Sequence, residues 1–101
     1  MLVTYNKEKQ KLPIKIWRKS INEVETSALK QIYNLSNLPF AYKHIAIMPD
    51  VHCGYGMPIG GVLATENVII PNAVGVDIGC GMCALKTSLT TEAIDNTLLK
   101  K

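Results

Sequence analysis

Apolar and charged side chains alternate in Ile14-Lys15-Ile16-Trp17, and this period of two predicts a short strand. The period then lengthens. Ile21, Val24, Ala28, Ile32 and Leu35 recur at intervals of three and four, which draws one apolar stripe along a helix. Ser20 and Glu23 stand ahead of that stripe in the S-x-x-E relation, where hydroxyl and carboxylate each satisfy an otherwise unpaired backbone N–H. The helix is expected to stop before Leu38-Pro39, because the residue before a proline is pushed out of the helical region.

From residue 44 onward the pattern changes to short β-type runs broken by Gly, Pro, Asn and Asp. Strands are expected over 44–48, 60–65, 67–70, 73–78 and 83–89. Between them lie the loops PDVHCGYGMP and GCG, whose glycines let the backbone take positive φ or approach another group closely. At the end, Thr91 is placed to cap a second helix carrying Ile94 and Leu98, and the pattern breaks off without a capping glycine. The expected fold class is α+β: one N-terminal helix followed by several short strands, belonging to a sheet shared with residues beyond this chain.

Composition narrows the class. A chain of 101 residues with 48% hydrophobic and 19% charged residues has room for one domain at most and is not of disordered type. The net charge of +3 permits a polyanionic partner without arguing for one. Three cysteines, Cys53, Cys80 and Cys83, are an odd number, and no basic-then-apolar leader is recognisable at the start. A reducing, cytoplasmic location is therefore expected. No apolar run approaches the roughly 18 residues of a membrane span, so no membrane partner is expected.

Two stretches could carry chemistry. Asp77 and Cys80 are spaced D-x-x-C on a glycine-rich turn, which can bring side chains three apart to the same side. Carboxylate oxygen suits hard ions and thiolate suits softer ones, so the pair points to an intermediate ion such as manganese, iron or zinc. The alternative is an ordinary turn. Asp50 and His52 stand at the end of a strand before a glycine-rich loop, a common place for functional groups. Asp50 is equally at home as a turn residue after Pro49, and His52 as a hydrogen-bonded core group. Cys83 reads as core, Cys53 as ligand or filler, and the Cys80/Cys83 pair lacks the second pair a zinc knuckle needs. The glycines match no nucleotide-binding spacing. A metal-dependent phosphoesterase using Asp50, His52, Asp77 and Cys80 is one reading open at this point.

Taken together, MPDVHCGYGMPIGGV followed by IIPNAVGVDIGCGM closely resembles the N-terminal region of the RtcB family of GTP-dependent RNA ligases. The similarity runs from about KIW to LKTSLT. Members join an RNA end bearing a 2′,3′-cyclic phosphate or 3′-phosphate to a 5′-hydroxyl end, in tRNA splicing and RNA repair. In the family GTP first modifies a histidine, and manganese ions assist each step. The resemblance implies that Asp77 and Cys80 are metal ligands, Cys80 bridging two Mn²⁺ ions and Asp77 binding one. It implies supporting roles near the metals for Asp50 and, behind the direct ligands, for His52, with Gly79 and Gly81 keeping the turn tight. It further implies that residues 1–101 are the N-terminal portion of an RtcB-like catalytic domain with a larger mixed sheet. The remaining ligands, the modified histidine and most of the GTP pocket would then lie elsewhere, either in the rest of a longer protein or in a complementary chain. RNA is the implied partner, and residues 1–101 alone are expected to be inactive. Glu66-Asn67 stand where many members carry lysine and glycine.

Overall fold

The computed structural model describes residues 1–94. Strand β1 (Leu2–Thr4) pairs antiparallel with β2 (Ile14–Ile16). The chain then crosses through helix α1 (Thr26–Ser36) to β3 (Ala41–His52), which lies parallel to β2. Strand β4 (Ile59–Thr65) returns antiparallel to β3, giving a four-stranded mixed sheet in the order β1-β2-β3-β4. This is α+β, with one helix as expected. β1 was not foreseen, because three residues are too few to show a period.

One sheet face is buried. Ile14, Ile16, Ile45 and Ile47 meet Val24, Ala28, Ile32 and Leu35 in a single core, so the apolar stripe of the helix covers the alternate residues of the two parallel strands. The helix ends at Ser36, as Pro39 requires. Asn37 ties that end down: its amide donates to the carbonyls of Tyr33 and Lys9, both at 3.0 Å, and its Oδ1 accepts from the Lys11 N–H at 3.1 Å.

The start of the helix differs from expectation. Ser20 does cap, but what it caps is a 3₁₀ turn at Ile21–Glu23, where its hydroxyl accepts from the Asn22 N–H. Val24 and Glu25 are extended, and α1 begins at Thr26. Glu23 does not close the capping box; its carboxylate lies 3.9 Å from Arg18.

The expected strands over 44–48 and 60–65 are present within β3 and β4, both longer than the pattern suggests. Those over 67–70, 73–78 and 83–89 do not form: residues 71–73 make a 3₁₀ turn, and no strand follows β4 among the described residues. Val76, Ile78 and Leu85 are 90%, 76% and 89% exposed. Their alternation is real, but no neighbouring strand supplies hydrogen-bond partners, and an isolated strand is not stable. Cys83, expected in the core, is exposed for the same reason. Near the end, Thr90 precedes a 3₁₀ turn over Thr91–Ala93, and the rest of the expected C-terminal helix, with Leu98, lies outside the described residues. No helix of the described residues is long and apolar enough to cross a membrane.

Candidate metal-binding cleft

Between Ile47, opposite Gly61, and His52, opposite Ile59, four residues of β3 face the single residue Gly60 on β4. Pro49 sits in this bulge and has no N–H to give to the ladder. The arc of Met48–Val51 closes over Gly60, which takes φ +80; a Cβ there would lie 3.0 Å from the Val51 Cα and 3.1 Å from the Asp50 Oδ1. Asp50 is thus held against the backbone of Gly60. His52, exposed at the strand end, pairs its Nδ1 with the Asp50 carbonyl at 3.0 Å.

The loop after His52 is fastened to the helix. Gly54 and Gln31 exchange two hydrogen bonds, Gly54 N–H to Oε1 at 3.0 Å and Nε2 to the Gly54 carbonyl at 2.6 Å. The Cys53 N–H donates to the Glu25 carboxylate at 3.2 Å. Sequence reading missed Glu25 and Gln31. Their partners lie 28 and 23 residues away, and the only local trace is a polar side chain flanking the apolar stripe.

Asp77 and Cys80 occupy the two ends of one tight turn. The Cys80 N–H donates to the Asp77 carbonyl at 3.3 Å, and Gly79 between them takes φ +80, the conformation a type II turn requires at its third residue. Gly81 has no such φ. Upstream, Pro71 opens a 3₁₀ turn, and the residues from Asn72 to Asp77 line a cleft together with the first residues of β4. This cleft has a volume of about 490 Å³, and its lining includes Tyr55, Ile59, Gly60, Val74, Asp77 and Cys80. Asp77 and Cys80 therefore share one cavity, and Gly60 in its wall carries Asp50 at its back. Asp50 itself and His52 are not among the lining residues. His44, partly buried in β3, is also outside it.

A carboxylate and a thiol at one tight turn form a mixed hard and soft donor pair, which fits part of the coordination shell of an intermediate divalent ion. Among the described residues no group of three or more His, Cys, Asp or Glu side chains could hold a metal. Asp77 and Cys80 offer two donors, without a third beside them among the described residues. All three cysteines are free and exposed.

A βαβ crossover thus feeds a bulged strand, with a D-x-x-C turn beside it. The family model described as "tRNA-splicing ligase RtcB" matches residues 31–101, and the chain belongs to the RtcB family. The RNA-splicing ligase RtcB of Escherichia coli K12 is 54% identical over 86 residues, covering 85% of this chain and 21% of that protein. The tRNA-splicing ligases RtcB of Pyrobaculum aerophilum and Nanoarchaeum equitans are 41% and 43% identical, over 84% and 89% of this chain and 19% and 20% of theirs. The chain thus spans about a fifth of the length of the curated relatives it matches. No solved structure matches it.

Proposed function

We propose that this chain is the N-terminal portion of an RNA ligase that joins 2′,3′-cyclic phosphate or 3′-phosphate RNA ends to 5′-hydroxyl ends with GTP and two Mn²⁺ ions, in tRNA splicing or RNA repair in the cytoplasm. The observation that carries this reading is the sharing of one cleft by Asp77 and Cys80, within the stretch matched to the family.

Asp77 and Cys80 would hold manganese, which when bound supplies Lewis-acid stabilisation of phosphoryl oxygens. The chain's own contribution is to present the two donors. The turn closed by the Cys80 N–H and the Asp77 carbonyl sets their spacing, and Gly79 supplies the backbone geometry. Asp50 supports the cleft wall from behind Gly60, and His52 is oriented by the Asp50 carbonyl. The remaining ligands, the nucleotide acceptor and most of the GTP pocket come from the rest of the family's length or from a complementary chain. Residues 1–101 alone then have no ligase activity.

The test is a chimera in which residues 1–101 replace the matching segment of the Escherichia coli relative. It joins a 2′,3′-cyclic phosphate RNA to a 5′-hydroxyl RNA with GTP and Mn²⁺, and it loses that activity with Asp77→Ala or Cys80→Ala. Full ligation by a Cys80→Ala chimera refutes the assignment.

A further inference from the structure

Gly54, Tyr55, Met57 and Pro58 line the same cleft as Asp77 and Cys80. The stretch 53–58 belongs to no helix or strand, so no ladder fixes its backbone and its shape depends on a few anchors. Its far end is held by packing: Pro58 is fully buried and Met57 lies against the core. Its near end has no such support, since Cys53 is exposed and Gly54 only half-buried.

That near end is held by side chains of α1 and its cap. The Glu25 carboxylate accepts from the Cys53 N–H at 3.2 Å. Gln31 accepts from the Gly54 N–H at 3.0 Å and donates from Nε2 to the Gly54 carbonyl at 2.6 Å. The Glu25 bond is single and exposed, where water offers an equivalent partner. The two bonds of Gln31 run in opposite directions and are partly buried, so they fix the orientation of the backbone at Gly54 as well as its position. Immediately after this point the chain doubles back, and a Cβ on Gly54 would overlap the Met57 carbonyl oxygen.

We infer that Gln31 is a positioning residue for phosphoryl transfer. It does not line the cleft itself; through Gly54 it fixes the loop that bounds the space beside Asp77 and Cys80, and with it the place where an RNA phosphate comes to rest. This inference rests on the ligase reading proposed above. The turn that joins Asp77 to Cys80 is closed by its own backbone hydrogen bond and does not involve Gln31, so the rate of transfer and the affinity for the ion respond separately to its loss.

The test uses the chimera with the Escherichia coli relative. The share of molecules that take up GMP from α-labelled GTP counts the competent ones, and the ligation rate is divided by that share. For Gln31→Ala the rate per competent molecule at saturating Mn²⁺ is expected to fall by about 10- to 100-fold, the loss that accompanies a misplacement of about 1 Å at a reacting group. The Mn²⁺ concentration for half-maximal rate stays that of the parent. Gln31→Met keeps the side-chain length, removes both bonds and gives the same loss, and it serves as the second variant should Gln31→Ala not fold. Ile32→Ala removes core packing one residue along the same helix without touching Gly54; it lowers the share of competent molecules and leaves the rate of each unchanged. In the 101-residue chain without metal, Gln31→Ala accelerates hydrogen exchange more at the Gly54 amide than in β4. The inference is overturned if both Gln31 variants ligate at the parent rate per competent molecule, if added Mn²⁺ restores that rate, or if Ile32→Ala shows the same loss. A parent chimera without ligase activity overturns the ligase reading and this inference with it, whereas an active parent indifferent to Gln31 overturns this inference alone.

Discussion

Gln31 and Gly54 exchange two hydrogen bonds across 23 residues of sequence, one in each direction. A primary amide has both a donor and an acceptor and matches a peptide group in this way. Through that pair the helix holds the loop that follows Asp50 and His52 and forms one wall of the cleft.

Gln31→Ala leaves both backbone groups of Gly54 without their partner in a partly buried position. The expected cost is about 1–3 kcal/mol, read as a lower thermal midpoint together with faster hydrogen exchange at the Gly54 amide. Unchanged exchange there would show that the loop is held by other means.

Gly60→Ala meets two penalties, a backbone φ of +80 and a Cβ 3.0 Å from the Val51 Cα. It should cost more than about 1 kcal/mol and push Asp50 away from the cleft wall. Gly75→Ala, with nothing within 4 Å of its added Cβ, should melt within about 0.5 kcal/mol of the parent chain. Equal melts for the two would contradict the close approach of the Met48–Val51 arc.

Ile32, 1% exposed, stands between the helix and the two parallel strands. Ile32→Ala should cost about 2–5 kcal/mol, a large part of the roughly 5–15 kcal/mol that a domain has in total. Circular dichroism during denaturant unfolding measures the loss.

Asn67 takes φ +56 and Lys43 φ +58. Asparagine enters this left-handed region readily, so Asn67 serves where glycine would, and Thr65 Oγ1 donates to the Val68 carbonyl at 2.6 Å to close the turn. Asn67→Gly should be close to neutral. Asn67→Val should destabilise by about 1–2 kcal/mol, whereas Lys43→Asn, which relieves a bulged strand position, should raise the thermal midpoint.

The helix and the central strands were legible because burial imposes a period, and Ile14, Ile32 and Ile47 obey it. What depends on distant partners was not. Ser20 and Glu23 carry the local signature of a capping box, yet Glu25 precedes the first helical turn and turns its carboxylate to Cys53. Val76, Ile78 and Leu85 alternate like a strand but find no neighbour to pair with. The tight turn of Asp77 and Cys80 was readable from Gly79, a residue that supplies positive φ at no steric cost. Asp50 stands against Gly60 because Pro49 interrupts a ladder, a relation between two strands that spacing along one of them does not reveal.

The division of chemistry between this chain and the rest of the family's length is tested most directly by transfer of labelled GMP from α-labelled GTP in the presence of Mn²⁺. The purified, folded 101-residue chain and the chimera with the Escherichia coli relative are compared side by side. The account predicts label on the chimera, at a histidine outside these 101 residues, and none on the chain alone. Label on His44 or His52 of the isolated chain would place the nucleotide acceptor within it and contradict the account.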